Sequence, residues 1–304
     1  MDISEIKIDL YSYFYELVKQ IPQGMVSTYG DLAIALGDII ASRAVGEMLS
    51  KNPNPIIIPC HRVVKSDGTI GGFTHPNGIR KKIELLESEG IKIENNKIIG
   101  FDKIRFREFK TNYPLKKIRE FENELIKKLE LKDVDFDYIY SYDVSYNDRN
   151  AYIAIVKFKN YKIEDYKLIK KIVNFPYIPT YLSYREGILL LDHLPEGLGI
   201  LDGNGILHPR RIGLASFLGI LWDKPTLGIA KSLLFGKLID EMIYDQKEII
   251  GFKIKNRYVS PGNHISLERA YKIGKEILNH IDPIRPAHNL SKKFMESELL
   301  QQSP

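Results

Sequence analysis

Apolar residues recur at helical spacing through the first third of the chain. Over residues 4–20 they return every three or four positions, and a Pro-Gln-Gly sequence then ends the pattern. Residues 27–28 provide a good N-cap for a second helix that Gly37 is placed to terminate. Further helices are predicted over residues 41–51 and 78–89. The second and third helices have a helix-turn-helix outline, which occurs in DNA-binding proteins but also in plain helical bundles.

Shorter elements separate these helices. Residues 56–58 predict a short buried segment, and residues 63–70 predict a small hairpin around an Asp-Gly turn. Beyond residue 91 the chain becomes rich in Lys and Glu, with an amphipathic helix predicted over residues 115–132. We place a domain boundary in this region, which gives a mainly α domain over residues 1–105 and a second domain over residues 106–304.

The second domain has the alternation typical of α/β proteins. Three β-rich segments come first, and single buried strands then alternate with helices. The predicted strands are 138–146, 151–159, 166–172, 198–201 and 226–229, and the predicted helices are 184–194, 213–221 and 266–281. This order predicts a mixed sheet with helices on its faces.

Composition and charge narrow the function only slightly. Hydrophobic residues make up 44% of the 304 residues and charged residues 27%, which is ordinary for a soluble globular protein. The formal net charge of +5 permits an acidic partner such as nucleic acid. No apolar run has the length of about 18 residues that a membrane span needs, and the start lacks a secretory pattern. We therefore expect a cytoplasmic protein without a membrane partner, and no protein partner can be inferred.

The first candidate for chemistry is a cysteine followed by a histidine. Cys60 is the single cysteine, which excludes an intramolecular disulfide and a cysteine-based zinc site. A thiol attacks as thiolate, and His61 is placed to act as its base. Taken alone, such a pair is more often a buried cysteine beside a core histidine.

The surroundings of Cys60 change that interpretation, because residues 8–90 resemble the alkylguanine-DNA alkyltransferase family. The matching segments are Ile21-Pro22-x-Gly24-x-Val26-x-Thr28-Tyr29-Gly30, Ala41-Ser42-Arg43-Ala44-Val45-Gly46, Asn52-Pro53, Ile58-Pro59-Cys60-His61-Arg62-Val63, Lys82, Leu85-Leu86 and Glu89-Gly90. The resemblance implies the fold of that family's C-terminal domain. It also implies irreversible transfer of an alkyl group from O6 of guanine in double-stranded DNA to cysteine, without a cofactor.

Residue by residue, the resemblance implies three roles in catalysis and three in DNA binding. Cys60 would be the acceptor, His61 the base that acts through a water, and Glu89 the carboxylate that orients His61. In the DNA-binding set, Asn52 would brace the turn before the cysteine. Tyr29 would support the flipped nucleotide and protonate the leaving guanine, and Arg43 would fill the gap that the flipped base leaves in the stack. The family's Gly-Tyr-Ser/Ala-Gly-Gly is replaced by a longer stretch over residues 72–78, which puts the range of accepted alkyl groups in doubt.

The second candidate for chemistry is a pair of aspartates in the α/β domain. Asp143 lies inside a predicted strand, where a carboxylate is costly unless it is paired or binds a metal ion. Asp202 follows the end of another strand, a position that turn formation alone can also explain. Carboxylates converging from strand ends suit a hard divalent cation that activates water at a phosphate.

Residues 115–285 resemble endonuclease V. The matching segments are Asp143-Val144-Ser145-Tyr146, Pro176-Tyr177-Ile178-Pro179, Ser183-Tyr184-Arg185-Glu186, Asp202-Gly203-x-Gly205-Ile206-x-His208-Pro209-Arg210 and Gly228-Ile229-Ala230-Lys231. The resemblance implies a ribonuclease H-like fold. It also implies Mg²⁺-dependent hydrolysis of the second phosphodiester 3′ to a deaminated base, chiefly deoxyinosine in DNA, with the lesion left in place.

The second resemblance also assigns roles. Asp143, Glu186 and Asp202 would bind the metal ion, and Lys231 would stabilise phosphate charge. Tyr177 and His208 would contact DNA. Tyr177 would act as a wedge in the gap left by the lesion, and His208 would line the pocket that receives the lesion. Many relatives have a Gly-His pair near the end of the active site. In a gapless alignment Asn263 takes the place of that histidine, and His264 lies one position later.

The sequence thus predicts a bifunctional DNA-repair enzyme. Two alternatives stay open: a lesion-binding sensor with one degenerate site, and a nuclease directed at inosine-containing RNA.

Overall fold

In a computed structural model, which describes Ile3 and residues 7–301, the chain divides into two compact units. Unit 1 comprises Met1–Glu120 with Asn174–Pro179, and unit 2 comprises Phe121–Val173 with Thr180–Pro304. No helix in this described part of the chain combines the length and apolarity needed to cross a membrane.

Unit 1 is mainly helical, with the predicted helices in place. Its helices are α1 (Leu10–Lys19), α2 (Tyr29–Leu36), α3 (Ser42–Ser50) and α4 (Gly78–Ser88). Thr28 caps α2 through a reciprocal pair of hydrogen bonds with Asp31, and Gly37 ends it at φ 104°. The first helix begins at Leu10, later than predicted, and residues 4–6 of that prediction lie outside the described residues.

Two expectations for unit 1 are wrong. Ile56 and Ile57 are 64% and 72% exposed, so the predicted buried segment is reduced to its last residue. The Asp-Gly turn forms, but the predicted hairpin does not. Strand β2 (Val63–Val64) instead pairs in parallel with β1 (Ser27–Thr28), whose buried backbone needs hydrogen-bond partners. A two-stranded antiparallel sheet of β3 (Ile93–Glu94) and β4 (Lys97–Ile98) follows α4.

Unit 2 is built on one nine-stranded mixed sheet. Its strands are β5 (Ile139–Asn147), β6 (Asn150–Lys159), β7 (Lys162–Ile172), β8 (Leu198–Leu201), β9 (Thr226–Ala230), β10 (Lys237–Ile239), β11 (Met242–Asp245), β12 (Glu248–Ile254) and β13 (Arg257–Pro261). The order is β10-β11-β12-β13-β9-β8-β5-β6-β7. Only the β5-β8 and β8-β9 pairs are parallel. The predicted strands are therefore confirmed, and four more lie at the other edge.

Helices cover this sheet, and the alternating pattern predicted the first three of the following four but not the last. They are α6 (Leu182–Leu190), α7 (Leu214–Trp222), α8 (Leu267–His280) and α9 (Ile284–Gln301). The helix α5 (Pro114–Leu125) precedes the sheet, and a 3-10 turn (Ile126–Lys128) follows it where the helix was predicted to continue. Helix α8 packs on β12 and β13, whereas α9 packs on β5 and β6. The sheet face under α9 carries Asp143.

Candidate active sites

Cys60 opens onto a small cavity in unit 1. It begins a short 3-10 turn after Pro59 and is 8% exposed. The cavity has a volume of about 220 Å³, and Tyr29, Leu49 and Phe73 contribute to its wall. Phe73 belongs to the lengthened stretch over residues 72–78. This stretch therefore lines the space that a group attached to the sulfur would occupy.

Asn52 holds the chain in front of the cysteine. Its side-chain amide donates to the carbonyl of Ile58 at 2.9 Å, and its amide oxygen accepts from the N–H of Asn54 at 3.0 Å. The N–H of Cys60 donates to the same Ile58 carbonyl at 2.7 Å. The asparagine thus fixes the backbone that positions the sulfur.

A buried network orients His61. Its Nε2 lies 2.9 Å from Oε1 of Glu89, while Arg62 donates to both carboxylate oxygens and Gly24 donates its N–H to Oε2. Burial raises the pKa of Glu89, but the hydrogen bonds from Arg62 and His61 outweigh it and lower that pKa. An ionised Glu89 keeps the proton of His61 on Nε2. The other nitrogen, Nδ1, is buried and has no hydrogen-bond partner among the residues that the structure describes, so its lone pair is able to accept a proton.

The protonation of the pair favours a thiol beside a neutral imidazole. Burial lowers the pKa of His61, despite the opposing effect of Glu89. Burial also raises the pKa of Cys60, and a hydrogen bond from Asn52 and the charge of Lys82 only partly offset it. The sulfur therefore needs a base before it can attack.

Lys82 is a residue whose role the sequence did not reveal. It is fully buried in α4 and donates to the carbonyls of Val63 at 2.5 Å and Gly72 at 3.1 Å. Burial lowers the pKa of its ammonium group to about 8. The position of Lys82 on the apolar face of α4 was the available signal, since lysines are rarely fully buried.

Two of the three predicted DNA-contacting residues of unit 1, Tyr29 and Arg43, lie at the starts of successive α-helices. Tyr29 is the first residue of α2, and burial raises the pKa of its hydroxyl beside Cys60, so it keeps its proton at neutral pH. Arg43 is the second residue of α3 and is exposed to solvent. Tyr29 thus lines the cavity, whereas Arg43 is free to reach a ligand outside it.

In unit 2, three carboxylates converge from three elements. Strands β5 and β8 pair in parallel with Tyr142 opposite Leu201, so Asp143 and Asp202 follow at adjacent positions. Glu186 approaches from α6. Burial, and then the charges of Asp143 and Asp202, raise the pKa of Glu186 to about 8. The three predicted metal-binding residues therefore share one electrostatic environment.

Lys231 and α9 provide the opposing groups. Nζ of Lys231, directly after β9, lies 2.6 Å from Oδ2 of Asp202. From α9, Oγ of Ser291 donates to Oδ2 of Asp143 at 2.5 Å, and Nδ1 of His288 lies 3.4 Å from the same oxygen. Neither Ser291 nor His288 was predicted from the sequence. Their spacing of one helical turn was the available signal.

The donor chemistry of this site suits a hard divalent cation. Asp143, Glu186 and Asp202 offer carboxylate oxygens, and the ion pair of Lys231 with Asp202 opposes their mutual repulsion. Within the described residues, no three Asp, Glu, His or Cys side chains are already gathered at ligand spacing. The two aspartates instead bond to Lys231 and Ser291.

The turn after Asp202 packs tightly against neighbouring strands. The N–H of Gly205 donates to Oγ of Ser260 at 2.9 Å. A Cβ at Gly205 would lie 1.9 Å from the carbonyl oxygen of Pro261, so no larger residue fits there. This packing fixes the backbone that carries Asp202.

Asn263 and His264 have structural partners. The amide of buried Asn263 donates to the carbonyl of Gly219 at 3.1 Å and accepts from the N–H of Glu130 at 2.9 Å. Nε2 of His264 lies 2.7 Å from Oδ1 of Asp223. The histidine that approaches a site carboxylate is instead His288.

His208 uses both ring nitrogens. Nε2 donates to the carbonyl of Thr180 at 3.2 Å, and Nδ1 accepts from the N–H of Arg210 at 3.2 Å. Burial lowers its pKa to about 4, so the ring stays neutral. Tyr177, the predicted wedge, is 56% exposed and is followed by the buried Ile178. Its ring is thus presented from an anchored backbone.

Comparisons with known proteins match both parts of the chain. The family model for the DNA binding domain of 6-O-methylguanine DNA methyltransferase matches residues 9–91, and the model for Endonuclease V matches residues 119–289. Human ENDOV has a similar fold over 61% of this chain and 99% of that protein, with a TM-score of 0.56 and 21% identity. The Ciona intestinalis endonuclease V, solved with a DNA containing an inosine followed by a ribo-adenosine, covers 62% of this chain and 99% of that one, with a TM-score of 0.52 and 26% identity.

Two relatives match across both units. A bifunctional methyltransferase/endonuclease of Picrophilus torridus is 47% identical over 86% of this chain and 88% of that protein. Another of that name from Thermoplasma volcanium is 42% identical over 95% of this chain and 91% of that protein. The chain therefore belongs to the bifunctional methyltransferase/endonuclease family.

Proposed function

We propose that the protein repairs two lesions in double-stranded DNA. Unit 1 transfers the alkyl group of O6-alkylguanine to Sγ of Cys60, and unit 2 cleaves the strand at the second phosphodiester 3′ to deoxyinosine. The observation that carries this proposal is the presence in one chain of a buried Cys-His-Glu network beside a cavity and of three converging carboxylates with a lysine. The first reaction needs no cofactor, whereas the second uses Mg²⁺.

The finer fold assignments have matching support. Helices α2 and α3 are consecutive and short, as in a helix-turn-helix, and Arg43 near the start of α3 is exposed. The meander β5-β6-β7 followed by parallel β8 and β9 supports a ribonuclease H-like unit 2. We also propose a domain boundary between residues 105 and 106, in the stretch between the two family matches, whereas the compact units divide later, after Glu120.

For alkyl transfer, Nδ1 of His61 accepts the thiol proton of Cys60 through a water. The sulfur then attacks the alkyl carbon, a C–S bond forms, and the C–O6 bond breaks. Tyr29 protonates the leaving guanine, and Glu89 stabilises the imidazolium. The thioether product has no means of regeneration in this site, so each molecule reacts once.

Replacing His61 with alanine should change the pH dependence of alkyl transfer. Because burial lowers the pKa of His61 below its usual value, the wild-type rate should stay nearly constant from about pH 8.5 down to about pH 7. Without the base, the rate should follow the thiolate fraction of Cys60 and rise about tenfold per pH unit through this range. Single-turnover transfer rates measure both profiles. Parallel profiles for wild type and variant would contradict the role of His61.

For strand cleavage, Asp143, Glu186 and Asp202 are the residues that hold Mg²⁺. When bound there, Mg²⁺ would supply the Lewis-acid chemistry that activates water and stabilises the leaving oxygen at the phosphate. Lys231 moves from Asp202 to the phosphate charge, and Ser291 keeps the carboxylate of Asp143 in place.

The predicted wedge, Tyr177, suits an enzyme that recognises a base after it has rotated out of the DNA duplex. Exposed Tyr177 would fill the gap in the duplex while inosine enters its pocket. Cleavage of matched inosine-containing DNA and RNA at equal Mg²⁺ tests the substrate class. Faster DNA cleavage at the predicted bond supports the proposal, faster RNA cleavage would redirect unit 2 to RNA, and binding without cleavage would identify a lesion sensor.

A further inference from the structure

Helix α9 places more than Ser291 and His288 beside the nuclease site. It packs against β5 and β6 through buried Ile284, Ala287 and Ser291. The two polar contacts to Asp143 arise at the border between this buried face and solvent. Since His288 is still 44% exposed, this border is accessible next to the metal-binding carboxylate.

Two cations share the border with His288. Arg285 precedes His288 by three residues and Lys292 follows it by four, so both lie on the same side of the helix. Both side chains are exposed, and the nearest acid recorded for Lys292 is Glu296 at 4.0 Å. Neither cation is thus tied into the fold by a close ion pair within the described residues.

The next lysine along the chain provides a contrast. Lys293 is also exposed, but it is rotated by about 100° around the helix axis from Lys292, away from the His288 side. The two lysines thus have the same charge and are both exposed, but they face different sides of α9. Lys170, which faces α9, is already paired with Glu298 at 2.8 Å.

We infer that Arg285 and Lys292 form a phosphate-binding stripe that positions the cleaved DNA strand on both sides of the scissile phosphate. The inference rests on the proposed nuclease function, which places that phosphate at Asp143. Along the axis, Arg285 lies about 4.5 Å before His288 and Lys292 about 6 Å after it. Long basic side chains at these positions reach the neighbouring phosphates, and a guanidinium can bind a phosphate in a bidentate manner.

The stripe makes a positioning contribution and no chemical one. It should therefore affect KM and salt dependence, since each phosphate contact releases counterions when DNA binds. A residue that merely supported α9 would instead lower kcat or stability. These readouts separate the two roles.

The test uses the full chain with Arg285→Ala, Lys292→Ala and, as the matched control, Lys293→Ala. Steady-state nicking of an inosine-containing duplex is measured over a series of KCl concentrations. Arg285→Ala and Lys292→Ala should each raise KM about three- to tenfold with kcat within about twofold, and each should reduce the slope of log KM against log salt by about 0.9. Lys293→Ala should match wild type, and Lys292→Arg should restore the slope.

Equal salt slopes for Lys292→Ala, Lys293→Ala and wild type would overturn the stripe while leaving the nuclease intact. A fall in kcat with an unchanged slope would also overturn it, in favour of a structural role. If wild type itself fails to nick, the proposed function fails first and the stripe with it. Alkyl transfer to Cys60, measured on the same preparations, should be unchanged in every variant.

Discussion

Replacing Cys60 with serine is expected to abolish alkyl transfer while nicking of inosine-containing DNA stays within about twofold of wild type. The hydroxyl is far less acidic than the thiol, and His61 is a weak base because burial lowers its pKa. Loss of a catalytic nucleophile typically costs several orders of magnitude, so we expect a reduction of at least about 10⁴-fold. Mass spectrometry after incubation with O6-methylguanine DNA measures the methyl group gained by the protein.

Ser50 offers a matched control for this variant. It lines the same cavity but points its hydroxyl to the carbonyl of Glu47 at 2.7 Å, so Ser50→Ala should leave transfer nearly unchanged. A methylated Cys60→Ser protein would show that another residue is the acceptor, and the account of unit 1 would be wrong.

The second large effect is expected from Asp143→Asn, which should reduce nicking by at least about a thousandfold. Asparagine keeps the shape and the bond from Ser291, but it removes a charge that binds Mg²⁺, and metal catalysis contributes several kcal/mol. The variant should unfold at a temperature no lower than wild type at neutral pH, because repulsion between Asp143 and Asp202 is relieved. Gel analysis of end-labelled duplex measures the rate.

Asp192→Asn is the control, since this aspartate of unit 2 is largely exposed and is 3.6 Å from Lys171. It should nick at the wild-type rate. Alkyl transfer should be normal in both variants. Residual nicking near the wild-type rate in Asp143→Asn would remove Asp143 from the metal site.

The sequence predicted those helices and strands well whose ends depend on interactions between neighbouring residues. The start and end of α2 follow from the capping residue Thr28 and from Gly37, and both lie within one turn of the helix. The pairing of strands that lie far apart in the sequence was harder to predict. The parallel partner of Val63–Val64 is 36 residues away, at Ser27–Thr28, and no turn residue between the two strands encodes it.

The candidate sites show the same division. The Cys60, His61 and Glu89 network was predicted from the family pattern, which carries spatial information that spacing alone lacks. Ser291 was not predicted, because its contact with Asp143 joins residues 148 positions apart. Only the packing of α9 on β5 brings them together. Sequence reasoning therefore reached the residues that match a known pattern and missed those that tertiary packing adds.

One chain should carry both a metal-dependent nuclease and a metal-independent alkyltransferase. The most direct test incubates one preparation of the wild type with an inosine-containing duplex and with an O6-methylguanine duplex, in Mg²⁺ or in EDTA. We predict nicking in Mg²⁺ alone and methylation of Cys60 in both conditions. Absence of nicking with any divalent metal would show that unit 2 is not a nuclease, and loss of methyl transfer in EDTA would show that unit 1 needs a metal ion.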